Sequence, residues 1–114
     1  GFVRRREQLH ETLPAELLFE AVLPLARMQA RKGGSRIDVD LPPPPERPRV
    51  RCDRTMVEQV LLNLARNGIQ AMEADTPLAE RLLTLRVSVQ RDRWVVFEVE
   101  DAGPGKGCFL SGEA

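Results

Sequence analysis

Residues 61–72 read LLNLARNGIQAM. Leu61, Leu62, Leu64, Ala65, Ile69, Ala71 and Met72 supply what a buried helix needs, yet Asn63 and Asn67 interrupt them. Asparagine is a poor helix former because its short amide competes for backbone hydrogen bonds. On a wheel of residues 57–73, Val57, Val60, Leu61, Leu64, Ala65, Gly68, Ala71 and Met72 fill one wide apolar arc, which Leu62 and Ile69 extend. Gln59, Asn63, Arg66, Asn67, Gln70 and Glu73 fill the remainder. A helix apolar over more than half its girth is mostly buried, so the two asparagines are expected at the rim of a core, Asn67 beside Val60. Two readings fit this stripe. It is a solvated face, or it is a row of hard oxygen donors. The second suits magnesium, which prefers oxygen and keeps several waters, so that one neutral carbonyl oxygen joins phosphate oxygens around it.

Outward from this helix, Thr55-Met56-Val57-Glu58 fits a capping box at its start, with Asp53 as the rival cap, and the helix is predicted to end near Glu73. Upstream, residues 14–32 carry Leu17, Leu18, Ala21, Val22, Leu25 and Met28 at helical spacing. Pro14 suits a first turn, Gly33-Gly34 a stop, and the internal Pro24 predicts a kink. SRIDVDL (35–41) alternates like a strand, PPPPERP (42–48) is a stiff loop, and RVRC (49–52) is a short strand. Downstream, ADTPLAE (74–80) is a loop. LLTLRVSVQ (82–90) and WVVFEVED (94–101) alternate on either side of RDR and read as an antiparallel hairpin. The order αββαββ predicts an α+β two-layer sandwich, its mixed and mostly antiparallel sheet packed on two helices.

The hairpin runs into VEDAGPG, residues 99–105. Val95, Phe97 and Val99 share one strand face, and parity places Asp101 on that inward side. A carboxylate beside apolar residues needs a donor partner. Gly103 and Gly105 permit a sharp turn and close approach of a flat ligand, whose purine amino group would be that donor. An ordinary Asp/Gly/Pro turn explains the same letters.

Composition narrows the field. Of 114 residues, 42% are hydrophobic and 30% charged, which suits one soluble globular domain with a modest core. Lys plus Arg equals Asp plus Glu at 17 each, so no charge excess points to nucleic acid or an anionic membrane, and Arg4-Arg5-Arg6 reads as a solvated cluster. Cys52, Cys108 and the single His10 form no metal-ligand pattern. A Cys52–Cys108 disulfide is open on paper, but no signal-peptide pattern opens the chain and a reducing cytosol is the simpler expectation. No apolar run approaches the ~20 residues that cross a bilayer.

Together the asparagine helix and the glycine turn resemble the ATP-binding catalytic domain of two-component sensor histidine kinases, within the wider GHKL (Bergerat-fold) superfamily. DRTMVEQVLLNLARNGIQAM looks like the family's asparagine box and VEDAGPG like its first glycine box. The RNGIQAM form is most similar to nitrogen-regulatory and oxygen-sensing kinases. The resemblance runs from about residue 2 to Gly105. It implies an end of linker from a dimerisation domain over 1–12, a partial catalytic domain over 13–105 and a non-matching tail over 106–114. It also implies ATP and Mg2+ as cofactors and transfer of the γ-phosphoryl group to a histidine on a separate domain. Asn67 would ligate magnesium and Asn63 would line the phosphate site. Arg66 or Gln70 would contact phosphate, although many members carry lysine where Gln70 stands. Asp101 would accept from the adenine amino group, while Gly103 and Gly105 would shape the pocket. The implied partners are a phosphoacceptor domain absent from this chain and a response-regulator receiver domain. The implied setting is a homodimeric, cytoplasmic protein without direct nucleic-acid or membrane contact.

Three departures bear on the activity. Related ATPases carry glutamate where Asn63 stands, and an amide is no general base, which favours a kinase over an ATPase. HETLP only faintly resembles the box around a phosphoacceptor histidine, so His10 reads as a linker residue. After DAGPG the chain reads KGCFLSGEA, without the family's lid or second glycine loop. A C-terminally incomplete domain is therefore expected, with an uncovered sheet face prone to self-association. A degenerate fragment serving as a non-catalytic interaction module is the alternative.

Overall fold

A computed structural model describes residues 9–103 and the course of the chain through 106–113. It contains β1 (His10–Pro14), α1 (Glu16–Lys32), β2 (Arg36–Asp40), β3 (Arg49–Asp53), α2 (Arg54–Asp75), β4 (Leu82–Gln90), β5 (Trp94–Glu100) and β6 (Lys106–Glu113). Short 3-10 turns cover Pro44–Glu46 and Leu78–Glu80. The main sheet has the order β2-β4-β5-β6, with β2 parallel to β4 and the other pairs antiparallel. A separate antiparallel pair joins β1 to β3.

One face of the sheet carries the core. Alternate residues Leu83, Leu85 and Val87 of β4 and Val95, Phe97 and Val99 of β5 are buried there. Against them lie Leu18, Phe19, Val22, Ala26 and Ala30 of α1 and Val57, Leu61, Ala65, Ile69 and Met72 of α2. Phe19 meets Phe97 edge to face, with ring centroids 5.6 Å apart and planes at 82°. That geometry sets the positive ring edge against the negative face. On the opposite face Arg86 ties β2 to the hairpin, 2.8 Å from Asp40, 3.7 Å from Glu98 and 3.9 Å from Glu100. The hydrogen bond to Asp40 is the chief cause that holds its guanidinium above its ordinary pKa. This is the two-layer α+β sandwich that the periodicities predict.

Several local expectations are corrected. Pro14 does not open a helix; it ends β1, which pairs with β3 in a register from His10 opposite Asp53 to Pro14 opposite Arg49. The strand arises from that long-range pairing, and proline is tolerated at such an edge. Ala15 N–H donates to the Pro48 carbonyl at 3.0 Å, and α1 then begins without a side-chain cap. Pro24 lies inside α1, where the sequence placed it, and is exposed, so water can take the place of the missing bond. Leu25 and Met28, expected in the core, are 48% and 47% exposed. The capping box at Thr55 does not form. Asp53 caps α2, accepting from Met56 N–H at 3.2 Å, while Glu58 pairs with Arg54 at 2.9 Å.

The hairpin turn is tight. Arg91 and Asp92 have φ of 56° and 53°, and Arg93 N–H donates to the Gln90 carbonyl at 3.1 Å. Both residues lie in the left-handed region, and with Gln90 opposite Trp94 the connection has three residues. Residues 106–113, set apart by sequence as part of a tail, run as β6 beside β5 from Glu100 opposite Lys106 to Trp94 opposite Glu113. The basic cluster at Arg4–Arg6, Gly105 and the side chain of Cys108 lie outside the described residues.

Candidate functional site

Two elements build the site: the middle of α2 and the end of β5. The buried stripe of α2 recurs at Val57, Leu61, Ala65, Ile69 and Met72. That spacing turns Asn63 and Asn67 to the exposed side of the helix. Asn63 Oδ1 accepts a hydrogen bond from Arg66 Nη2 at 3.0 Å, which fixes the amide orientation within the helix surface. The next residue after Asn67 is Gly68, and it marks where helix and strand come closest. A Cβ placed on Gly68 would stand 2.7 Å from Leu83 Cδ1, 3.7 Å from Asp101 Cβ and 3.8 Å from Asp101 Oδ2. Glycine here removes the atoms that would hold α2 away from the sheet.

Asp101 follows β5 at the position parity predicts and is only 8% exposed. Its Oδ1 accepts the backbone N–H of Gly103 at 2.9 Å, an Asx-type turn that bends the chain away from the strand. Oδ2, on the side of Gly68, retains acceptor capacity. A Cβ on Gly103 would lie 3.4 Å from Asp101 Oδ1 and 3.6 Å from Thr76 Oγ1, so the residue that ends α2 joins the same corner. Asn67, Gly68, Asp101, Gly103 and Thr76 thus surround the junction of α2 with the β5 turn. Thr76 has no motif to announce it; the dipeptide Thr76-Pro77 reads by sequence only as loop.

Arg66 and Gln70 face elsewhere. With Gln29, Lys32, Ile69 and Glu73 they line a groove of about 200 Å³ between the two helices. Arg66 and Gly68, two positions apart, point to nearly opposite sides of α2. Asn63 and Asn67 lie between these two sides. Among the described residues, no three His, Cys, Asp or Glu side chains converge as a metal cage. The donor set that fits a cation is the neutral amide oxygen of exposed Asn67, the hard-oxygen type that suits Mg2+ when phosphates supply the remaining ligands.

No family model matches the sequence. Two curated relatives are similar to it. The C4-dicarboxylate transport sensor protein DctS of Rhodobacter capsulatus is 39% identical over 108 residues, covering 91% of this chain. A non-motile and phage-resistance protein of Caulobacter vibrioides is 35% identical over 98 residues, covering 83%. The chain spans 15% of the length of the first and 11% of the second. Among solved structures, the catalytic domain of histidine kinase ThkA superposes with a TM-score of 0.68 at 24% identity, over 83% of this chain and 60% of that one. Acinetobacter baumannii histidine kinase AdeS gives 0.63 at 24% identity, over 84% and 43%. ThkA in complex with the response regulator TrrA gives 0.63 at 26% identity, over 83% and 26%.

Proposed function

We propose that this chain is part of the catalytic domain of a sensor histidine kinase and that within a longer protein it binds ATP for phosphoryl transfer to a histidine on a separate domain. The observation that supports this reading is the approach of the buried acceptor Asp101 to Gly68, the residue next to Asn67 in α2. Asp101 Oδ2 accepts from the exocyclic amino group of adenine, with Oδ1 committed to Gly103. Gly103 leaves room for the ring. Asn67 would hold magnesium through its amide oxygen, and the ion would supply positive charge to offset the phosphates. Asn63, held by Arg66, lines the phosphate end without acting as a base. Arg66 and Gln70 reach phosphate only from the groove side of α2, so their contribution is the smaller.

In this reading residues 1–12 lead in from a dimerisation domain and 13–105 hold the nucleotide, while Lys106–Glu113 runs as β6 along β5. The whole protein works as a homodimer that hands its phosphoryl group to a response regulator in the cytoplasm. No helix among the described residues is long and apolar enough to cross a membrane.

The test is titration of the chain with a non-hydrolysable ATP analogue, with and without Mg2+. Wild type binds saturably. Asp101→Asn replaces an acceptor-only group with one that also presents donors to the amino group and weakens binding at least about tenfold, or ~1.4 kcal/mol. Asn67→Asp alters the magnesium dependence more than the metal-free affinity. A wild-type chain that shows no saturable binding at millimolar analogue refutes the assignment of nucleotide binding to this segment.

A further inference from the structure

Arg81 lies between the 3-10 turn Leu78–Glu80 and β4, far in sequence from both motifs, yet its guanidinium gathers three main-chain carbonyls. Nε donates to Thr76 at 2.8 Å, Nη1 to Gly33 at 2.8 Å and Nη2 to Glu73 at 3.3 Å. Gly33 is the C-cap of α1 and Thr76 the C-cap of α2, so one cation serves the carbonyl ends of both helices. Helix C-termini carry partial negative charge and unpaired carbonyls, which a planar fork of donors satisfies together. The main chain of the same residue joins the sheet, because Arg36 N–H donates to the Arg81 carbonyl at 2.9 Å. The contact is close-packed: a Cβ on Gly33 would collide with the Glu73 carboxylate.

This clamp ends at the nucleotide corner. Thr76 is held through its carbonyl by Arg81, and its own N–H donates to Met72 at 2.9 Å. With both main-chain groups fixed, its hydroxyl is set beside Gly103, on the same point that Asp101 Oδ1 approaches at 3.4 Å. Among the described residues the Thr76 hydroxyl has no hydrogen-bond partner. The carboxylate and the hydroxyl flank one point, an acceptor on one side and a group that can donate on the other. The edge of a 6-aminopurine presents the complement, an amino donor beside a ring-nitrogen acceptor. A 6-oxopurine presents the reverse order, setting its carbonyl oxygen against the carboxylate.

We propose that Thr76 is a specificity-determining contact to the ring nitrogen of adenine and that Arg81 is the positioning residue that holds it there. The inference rests on the nucleotide reading of Asp101 above. Thr76→Val keeps the shape and the backbone clamp while removing the donor. Arg81→Lys keeps the charge but cannot fork to three carbonyls.

Both variants of the chain, with wild type and Asp101→Asn, are titrated with ADP, 1-deaza-ADP, 7-deaza-ADP, IDP and inorganic tripolyphosphate, and folding is monitored by circular dichroism. Thr76→Val weakens ADP about tenfold, leaves tripolyphosphate within twofold, and loses nothing further toward the deaza analogue that lacks the contacted nitrogen. Arg81→Lys reproduces this pattern, and the double variant is no weaker than either single one. If Arg81→Lys fails to fold, Thr76→Val alone decides. The inference falls, with the nucleotide reading intact, if wild type binds ADP in an Asp101-dependent way while Thr76→Val binds it unchanged. It also falls if Arg81→Lys weakens ADP and tripolyphosphate equally, the mark of a purely structural clamp. If wild type binds no nucleotide, both readings fall together.

Discussion

Gly68→Ala tests whether α2 must touch the sheet closely for the site to exist. On an exposed helix position this substitution stabilises by about 1 kcal/mol, because glycine loses more backbone entropy on folding. Here the added methyl would stand 2.7 Å from Leu83 Cδ1, closer than carbon atoms tolerate, and Leu83 is 0% exposed, so it can give way only by repacking within the core. Overpacking of this kind costs roughly 1–3 kcal/mol. The steric term therefore outweighs the propensity gain, for a net loss of about 1 kcal/mol and a melting temperature lower by ~4 °C. Ala71→Gly, on the exposed side of the same helix, measures the propensity term alone and costs about 1 kcal/mol. Urea unfolding followed by circular dichroism gives both numbers. Because Asp101 Cβ and Oδ2 stand 3.7 and 3.8 Å from the same point, any outward shift of α2 also opens the nucleotide corner. Affinity for an ATP analogue should fall at least about fivefold, or ~1 kcal/mol. A Gly68→Ala chain that gains about 1 kcal/mol and binds as wild type would refute the claim that glycine is required by close approach.

Two further predictions concern the frame that holds the site. Asp53→Ala removes the cap of α2 and lowers stability by about 1 kcal/mol in urea unfolding, whereas Thr55→Ala, outside the cap, stays within about 0.5 kcal/mol. Replacing Arg91-Asp92 by Asn-Gly puts residues suited to positive φ where φ is 56° and 53°. It should raise stability by about 1 kcal/mol, read as a shift in the urea midpoint at unchanged slope.

What was legible depended on how local the cause was. The α2 stripe, the β4–β5 hairpin and the inward Asp101 follow from periods of 3.6 and 2, which the chain writes directly. The wheel nevertheless widened the buried arc. Val60 and Leu64 are only half-buried and Ala71 is exposed, while Ile69, taken as an extension, is in the core. A wheel ranks residues by hydrophobicity, but the neighbouring elements choose which side is covered. Leu25 and Met28 illustrate the same limit, since their spacing suits α1 yet nothing among the described residues packs over them fully. β1 was illegible for a different reason. HETLP has one buried residue, Leu13, and becomes a strand by pairing with residues about forty positions later. Arg81 was hidden because its hydrogen bonds go to main-chain carbonyls, which carry no residue-type signature, and Thr76 because it is placed by that contact rather than by any sequence pattern.

The awkwardness of Asn63 and Asn67 has a structural resolution. Their cost to the helix is borne by what stands around them: an Asp53 cap at one end, the Arg81 fork at the other and a continuous buried stripe between. With the helix secured at three places, its exposed side need contribute nothing to folding. Asn67 is left with an amide oxygen that no neighbour claims among the described residues. The adjacent Gly68 serves the opposite requirement, since it must have no side chain for the sheet to reach the helix. Two neighbouring positions thus divide the work. One is kept polar and open, the other empty and packed, and the separation lets a single turn of helix be both core and exposed polar surface. Mutations at Asn67 should accordingly change ligand response with little effect on unfolding, while those at Gly68 should change both together.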